Sequence, residues 1–396
     1  TLDPAGIPLV SATLSGNGAD DPIYYPTWQR MSKVIGHKQF VFIADCKAGA
    51  IATRAQIAAE GGIYCLPLPM TGQHPELLKQ WVLNPPAPSE EIRLPRQQTE
   101  ESAVGKGFEV ALGKFWLNPD THKWVRWDER YLVVYSQKFA QAQIVGLQQR
   151  IEKATAALDQ LAAKPGDDIE QLWVKVAAIL KRHRVKEFFA VDTTTETITQ
   201  NRYVGRGRPT ATSQPEQITR LQIQLNIQSQ SAPIEQARQL AGWRLYVTNA
   251  STERLTLPSA VIYYRDEWLL EHGFHRVKRG HLPALPIYFQ NQDRIVGLMF
   301  LLMIALRVFT LIEFVVRQAL HNTEQSLAGL YHGNPKRATT RPSTELLLQA
   351  FCHLTLYLLP DATFFITPLN DLQRQILRLM KMPDSLYQLH LTGRNA

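Results

Sequence analysis

Cysteine is scarce in this sequence, and its positions follow no recognised spacing. Cys46, Cys65 and Cys352 are scattered and form no CxxC pair, so neither a disulfide framework nor a zinc site is predicted. We expect them to be small buried side chains in a reducing compartment. The sequence also contains no Walker phosphate loop, nucleophile elbow, HExxH motif or zinc finger. No motif therefore indicates the protein classes that these motifs mark.

A secretory signal is missing as well, so we expect a cytoplasmic protein. The chain opens with Thr1 and not Met, running directly into a turn and a strand pattern, and we expect that N-terminal sequence is missing. One apolar run, residues 295–316, has about the length of a membrane span. Because Arg307 and Glu313 lie inside it, we favour a helix buried in an α/β core and expect no membrane association.

Negative charge is in deficit. Lys and Arg number 43 against 35 Asp and Glu, which gives a net charge of +8 and a sequence pI near 9.3. This balance favours a polyanionic partner, with DNA or RNA ahead of a membrane surface. The 396 residues are too many for one small core, so we expect a main domain plus an insertion or second domain.

The first 70 residues alternate between strand and helix patterns. The predicted elements are, in chain order, strand 6–17, helix 24–36, strand 39–45, helix 51–60 and strand 63–69. This rhythm predicts an α/β sheet. Asp45 then lies at the carboxyl end of a strand, where α/β sheets usually place their sites.

From residue 71 to 240 the sequence changes character. It contains a loop rich in proline and glutamate (84–102), alternating strands (114–136), two amphipathic helices (139–163 and 168–184) and a strand pair from about 187. In the first of these helices, apolar side chains follow helical spacing at Leu147, Ile151, Ala154 and Leu158. Plain core packing is the favoured interpretation of this hairpin, and an arm that contacts a second copy is the alternative.

These shifts predict four segments. They are a first α/β part (1–70), an insertion (71–240), a second α/β part (241–325) and a helical C-terminal region (326–396). The α/β pattern returns in the third segment, where the stretch GWRLYVTNA predicts a strand before a long helix.

Residues 263–280, YYRDEWLLEHGFHRVKRG, combine aromatic, acidic and basic side chains at helical spacing. Pro258 is placed for a first helical turn, and we predict one continuous helix. Tyr264, Glu271 and Lys278 are seven residues apart, close to two helical turns, and therefore share one face.

The same helix has a second stripe, Leu270, Phe274 and Val277, which can pack on a core. Glu267 and Glu271 are like charges at i, i+4, an unfavourable pair unless a cation lies nearby. Basic residues follow closely at Arg276, Lys278 and Arg279. An acid among such cations suggests a metal and a phosphodiester, and a solvated charged face is the alternative.

Tyr264, Glu271 and Lys278 also match a known signature: Tyr, two residues, Arg, three residues, Glu, six residues, Lys. With these residues and LEHGFHRVKRG, the chain resembles the DDE transposases of bacterial insertion sequences. The stretches GNGADDP (16–22), IADCKAGAIATRAQI (43–57) and LAGWRLYVTN (240–249) resemble that family in the same order. Glu267 departs from the signature, since it stands in the place of Arg.

The resemblance implies that residues 1–70 and 241–325 are the two parts of a catalytic domain with a ribonuclease-H-like mixed sheet, incomplete at its N-terminus. A β-rich and helical-hairpin insertion would interrupt it, and a helical part would follow. It implies that Asp45 and Glu271 are catalytic carboxylates that hold two Mg²⁺ or Mn²⁺ ions, and that Tyr264 and Lys278 contact DNA phosphates. The alternatives are a strand-end cap for Asp45, core packing for Tyr264 and a solvated side chain for Lys278. The implied partner is double-stranded DNA, with a homodimer in the complex.

The first carboxylate of the family's triad has no counterpart here. By resemblance it would precede Thr1, so we expect a truncated chain that does not cleave DNA alone. Asp192, within the stretch FFAVDTTTE, looks like a first-carboxylate motif. Because it follows Asp45 and lies in the insertion, we interpret it as a coincidental match.

A basic glycine turn is a further candidate DNA contact. Arg202, Arg206 and Arg208 form a cationic tip, and the Arg-Gly-Arg-Pro core resembles an AT-hook that enters a narrow minor groove. An exposed turn between two strands is an equal alternative. A second basic loop lies at 333–342. Whether the Trp and Tyr residues of 115–135 stack on bases or pack a core is left open by the sequence.

The expected activity is therefore metal-dependent cleavage at transposon ends, followed by strand transfer into target DNA. Two rivals remain. One is an inactive remnant that only binds DNA or pairs with an intact transposase. The other is a membrane protein anchored by residues 295–316.

Overall fold

The computed structural model describes residues 1–14, 17–93, 104–166, 168–202, 216–278, 282, 284–360 and 364–387. The α-helices in these ranges are α1 (Tyr24–Ile35), α2 (Ile51–Ala59), α3 (His74–Leu83), α4 (Gln137–Ala163), α5 (Ile169–His183), α6 (Ser231–Leu240), α7 (Leu257–Arg265), α8 (Trp268–Lys278), α9 (Gln292–Asn322), α10 (Thr344–Gln349) and α11 (Asp371–Leu379). The strands are β1 (Val41–Ile43), β2 (Ile63–Pro67), β3 (Glu90–Ile92), β4 (Gly105–Leu117), β5 (Trp124–Ser136), β6 (Phe189–Arg202), β7 (Glu216–Ser229), β8 (Trp243–Thr248), β9 (Leu327–Ala328), β10 (Ala338–Thr339), β11 (Leu356–Leu358) and β12 (Phe364–Ile366).

The chain divides into two compact units, residues 40–261 and residues 1–39 together with 262–396. These limits differ from the predicted boundaries after residues 70 and 240. The reason is strand pairing: β5, from the predicted insertion, pairs with β8, from the predicted catalytic part. Segments that differ in sequence character therefore share one sheet.

The unit of residues 40–261 is built on a mixed six-stranded sheet in the order β1-β2-β8-β5-β4-β3. β1 and β2 are parallel and are joined through α2, and the remaining pairs are antiparallel. A parallel pair needs such a crossover connection. The predicted mixed α/β class is therefore confirmed, and β1 ends just before Asp45 as the sequence indicated.

A buried ion pair lies inside this sheet unit. Arg54 of α2 donates to both carboxylate oxygens of Glu129 on β5, each at 2.5 Å, and both side chains are almost fully buried. The Tyr64 hydroxyl donates to the same carboxylate, and the Trp127 indole donates to Tyr64 at 2.8 Å. Burial, followed by the Glu129 charge, raises the pKa of Tyr64 well above its usual range, so it stays a neutral donor.

A second core in the same unit joins the helical hairpin α4–α5 to the ribbon β6–β7. Leu147, Ala154 and Leu158 of α4 are buried there with Leu172 and Val176 of α5. The prediction that this hairpin packs a core is confirmed. The physical reason is that two amphipathic helices can bury their apolar stripes on each other and on one face of a ribbon.

In the other unit, the inner face of α9 packs with α10 and α11 through Val316, Leu320, Leu347 and Ile376. The prediction that the whole apolar run is buried is wrong: Phe300, for example, is 64% exposed. In the most apolar 18-residue stretch of α9 only 6% of the residues are buried, and by length and composition this helix could cross a membrane.

The predicted strand at 6–17 is not formed in the described residues 6–14. The segment makes one isolated bridge, between Leu2 and Pro8, and is otherwise irregular. Two of its carbonyls, those of Pro8 and Leu9, accept hydrogen bonds from Arg307 of α9 at 3.0 and 2.8 Å. A side chain thus satisfies backbone groups that a neighbouring strand would otherwise have to pair.

Candidate metal and nucleic-acid site

Asp45 follows β1 and begins a short 3₁₀ turn, Cys46–Gly49. Its side-chain oxygen Oδ1 accepts the backbone N–H of Lys47 at 3.0 Å, and its carbonyl accepts the N–H of Ala48. Asp45 is exposed at the carboxyl end of the parallel strand β1. The cap interpretation is therefore confirmed, and the carboxylate also lies at the strand end where α/β sheets usually present ligands, so its role as a metal ligand stays a prediction.

The Asp45 turn is anchored at its other end by Gly49. The Arg54 Nε donates to the Gly49 carbonyl at 2.9 Å, from the same guanidinium that pairs with Glu129. A Cβ at position 49 would lie only 2.8 Å from the carbonyl oxygen of Pro67, so only glycine fits. The backbone after Asp45 is thus fixed by the buried ion pair.

The predicted single helix around Glu271 is wrong: two helices occupy this segment. α7 ends at Arg265 and α8 begins at Trp268. Between them the N–H groups of Asp266 and Glu267 bond to carbonyls three residues back, the pattern of a tighter turn than the α-helix. Tyr264 therefore belongs to α7 and is not part of the stripe that carries Glu271.

Glu271 and Lys278 remain together on α8, two turns apart and both exposed. No hydrogen bond or ion pair reaches the Glu271 carboxylate from the residues that the structure describes. The Lys278 ammonium lies 5.7 Å from the ring centroid of Phe274. The predicted packing stripe is wrong in part, since Val277 is buried whereas Leu270 and Phe274 are exposed.

The prediction that Arg276 belongs to the cationic surroundings of Glu271 is wrong. Its guanidinium is buried and is bonded to Glu313 of α9, and its Nε donates to Glu345 of α10 at 2.8 Å. Glu313 also accepts the N–H of Thr344, at the first residue of α10. Arg276 therefore fixes α8 on its neighbouring helices, and of the Lys and Arg side chains of α8 it leaves Lys278 exposed to solvent.

Burial and the charge of Arg276 together shift the pKa values of two neighbouring groups. Burial alone would raise the pKa of Glu345, but a backbone hydrogen bond and Arg276 outweigh it and hold that pKa below its usual value. Burial, followed by the Arg276 charge, lowers the pKa of His272, which favours its neutral imidazole. Of the charged side chains of α8, Arg276 is thus the buried one, and Glu313 and Glu345 balance its charge.

As metal ligands, Asp45 and Glu271 offer the hard carboxylate oxygens that Mg²⁺ and Mn²⁺ prefer. Their donor chemistry fits the implied ions. The two residues lie in different compact units, Asp45 in residues 40–261 and Glu271 in residues 262–396. Within the described ranges, no group of three or more His, Cys, Asp or Glu side chains could hold a metal ion.

Most of the DNA contacts predicted in the glycine turn lie outside the residues that the structure describes. Arg206 and Arg208 lie outside the described residues, and Arg202 is the last residue of β6. The second basic loop, 333–342, is described. In it the Arg337 guanidinium lies 4.1 Å from the ring centroid of Tyr331, which orients this cation on the surface.

The aromatic residues of 115–135, left open by the sequence, divide into two sets. Trp127 and Tyr131 are buried in the sheet unit, whereas Phe115 and Trp124 are 72% and 66% exposed. The two sets occupy opposite faces of one hairpin, β4–β5. The alternation of side chains along each strand could have predicted this division, because successive side chains point to opposite faces.

No family model matches the chain, and no curated protein sequence does.

Proposed function

We propose that this chain is a DNA-binding protein of the DDE transposase type. The observation that carries the proposal is the position of Asp45, directly after the parallel strand β1 and at the edge of a mixed sheet. The sequence resemblance assigns a metal-binding carboxylate to the same residue. The net charge of +8 supports a polyanionic partner.

The finer fold assignment is part of the proposal. We propose a ribonuclease-H-like sheet, in which α2 connects the parallel strands β1 and β2. The antiparallel pairing of β2 with β8 supports a mixed sheet of this kind. The long β4–β5 hairpin and the α4–α5 hairpin are, on this proposal, the insertion that holds DNA.

Asp45 and Glu271 are the proposed metal ligands. Bound Mg²⁺ or Mn²⁺ would activate the attacking oxygen and stabilise the leaving oxygen of a phosphodiester. The protein's own part is to fix the Asp45 turn through Arg54 and Gly49, and to hold α8 through Arg276. Lys278 and Tyr264 are the proposed phosphate contacts, and a homodimer is the proposed form in the DNA complex.

The first test is DNA binding and nicking by the 396-residue chain. The resemblance assigns two of the family's three carboxylates within this sequence. We therefore expect the chain to bind linear duplex DNA without cutting it in Mg²⁺ or Mn²⁺. Supercoiled plasmid shows a single nick as a change in mobility, with the matched variants Glu271→Gln and Asp192→Asn run beside the wild type.

The outcomes separate the activities. Metal-dependent nicking that Glu271→Gln abolishes and Asp192→Asn preserves would mean that the chain is itself a competent nuclease. Binding without nicking is the expected result. Failure to bind duplex DNA at low salt would refute the proposed function.

The second candidate is an inactive remnant that only binds DNA or pairs with an intact transposase, and it rests on the resemblance, which assigns two of the family's three carboxylates, Asp45 and Glu271, within this sequence. Iron-generated hydroxyl radicals cut a polypeptide next to bound metal. Cuts near both residue 45 and residue 271, lost in Asp45→Asn, would favour the enzyme. No cut at either place would favour the second candidate.

A further inference from the structure

The outer half of the β4–β5 hairpin extends beyond the other strands of its sheet. β3 pairs with β4 only over Gly105–Gly107, and β8 pairs with β5 only over Arg130–Tyr135. Within the described sheet, Gly113–Leu117 and Trp124–Asp128 therefore pair only with each other. Five residue pairs make a ribbon about 15 Å long, which is the reach of a small recognition element.

The loop that closes this ribbon is fixed by Asn118. Its side-chain oxygen accepts the N–H groups of Asp120 and Thr121, at 2.9 and 3.1 Å. Its backbone N–H donates to the Lys123 carbonyl at 2.9 Å, and its carbonyl accepts the N–H of His122. The tip is therefore preorganised, which lowers the entropy cost of binding.

One face of the ribbon presents aromatic rings to solvent. Phe115 and Trp124 lie edge to face with their centroids 5.8 Å apart, and Leu117 pairs directly with Trp124. The opposite face is already used, because the Trp127 indole donates to the Tyr64 hydroxyl in the core. The exposed rings do not support the sheet core, so their large apolar area is available for a partner.

The charges beside these rings indicate what that partner is. Arg126 pairs across the ribbon with Phe115, and Lys123 precedes Trp124. On the same face of the two strands, the next carboxylate is Asp128, two residue pairs further from the tip and opposite Gly113, and Asp120 lies in the loop that closes the ribbon. A flat ring with a cation beside it complements a nucleotide, whose base stacks while its phosphate meets the charge. A neutral sugar would also stack on the indole but would leave the two cations without a partner.

We propose that the tip of the β4–β5 ribbon, formed by Phe115, Leu117, Trp124 and Arg126, is a stacking site for unpaired nucleotide bases. Duplex DNA keeps its base faces covered by neighbouring pairs, so only an unstacked base offers a face to these rings. The inference rests on the proposed function for its nucleic-acid partner and adds to it the form of DNA that this ribbon binds.

The test compares two labelled probes by fluorescence anisotropy: an oligothymidylate about ten nucleotides long and a blunt duplex of similar length. We expect Trp124→Ala and Phe115→Ala each to weaken oligothymidylate binding by about 10-fold, and to change duplex binding by less than about 2-fold. The conservative variant Trp124→Phe should retain most of the affinity. Circular dichroism of each variant checks the fold.

A matched control is present in the other unit. Tyr357 and Phe365 form another exposed aromatic pair on a hairpin, stacked at 4.7 Å. Tyr357→Ala removes a comparable exposed ring, and we expect no change in the affinity for oligothymidylate.

Each remaining outcome decides the inference. Equal binding of oligothymidylate by wild type and Trp124→Ala, with duplex binding intact, would overturn the inference and leave the proposed function standing. If the wild type bound neither oligothymidylate nor the duplex, both the inference and the proposed function would be wrong. A Trp124→Ala variant that changes the sedimentation of the protein, but not its affinity for either probe, would mean that this face contacts protein.

Discussion

At the scale of single residues, burial decides which of the three cysteines can react. The prediction that all three are buried is wrong for Cys46 and Cys352, which are exposed, and confirmed for Cys65, which lies on the inner strand β2 and is 1% exposed. Burial raises the pKa of the Cys65 thiol to about 12. Because the thiolate is the nucleophile, Cys65 should be inert near neutral pH.

A thiol titration at pH 8 tests this expectation. An aromatic disulfide reagent should modify Cys46 and Cys352 rapidly in the native protein and reach Cys65 only after denaturation. In the double variant Cys46→Ser/Cys352→Ser, the native protein should therefore show almost no reaction. Rapid labelling of that variant would contradict the burial of β2.

The ion pair between Arg54 and Glu129 is the residue-scale feature with the largest expected effect on stability. Glu129→Gln keeps the shape of the side chain but leaves the buried guanidinium without its counter-charge. We expect the free energy of unfolding to fall by about 3–5 kcal/mol. Urea denaturation followed by fluorescence measures it.

The control for that substitution is an exposed pair of the same chemistry. Arg93 and Glu91 lie 2.9 Å apart with most of both side chains in solvent. Glu91→Gln should change the unfolding free energy by no more than about 0.5 kcal/mol. Equal effects at positions 129 and 91 would mean that the pair with Arg54 is not desolvated.

At the scale of elements, Arg276 links three helices, α8, α9 and α10, through Glu313 and Glu345. The pKa of Glu345 is lower in the folded protein than its ordinary value of 4.5. Between those two pKa values the unfolded chain binds more protons than the folded one. The stabilisation from Glu345 is therefore complete above pH 4.5 and is lost as the pH falls through the folded pKa.

The Glu345→Gln variant tests this link. It should be less stable than the wild type at neutral pH, by an amount on the order of 1 kcal/mol for a partly solvated pair, and the difference should shrink below pH 4.5. Unfolding measured from pH 3 to pH 7 shows the trend. A difference that is constant over this range would exclude a contribution from the Glu345 charge.

At the scale of the whole molecule, excess positive charge governs the expected interaction with DNA. The net charge of +8 includes exposed cations such as Lys123, Arg126 and Lys278. Each phosphate neutralised by such a side chain releases counterions, so the logarithm of the binding constant should fall linearly with the logarithm of the salt concentration, with a slope of about −0.9 per contact.

Lys278→Gln should weaken duplex binding at every sequence and reduce that slope by about one contact. Anisotropy titrations over a range of salt concentrations measure both quantities. Lys181→Gln, a charge removed from the end of α5 in the other unit, is the matched control. An unchanged slope in Lys278→Gln would remove this residue from the proposed phosphate contacts.

The sequence by itself determined most of the elements. Apolar periodicity, together with helix-ending and turn residues, located α1, which ends at Gly36 in the left-handed conformation. The same signals located the β1–α2–β2 unit, whose first strand ends before Asp45. They also located the α4–α5 hairpin. These features are local: a few neighbouring residues set them, through helical or strand spacing and through glycine and proline.

Only the tertiary structure decided which faces of those elements are covered. The pattern around Glu271 is helical throughout, yet the chain breaks at Asp266 and Glu267. Arg276 reads as a surface cation and is buried, because two carboxylates distant in sequence reach it. The apolar face of α9 and the rings of Phe115 and Trp124 remain exposed for the complementary reason. Burial depends on what other segments bring to a side chain, and no local window of sequence contains that information.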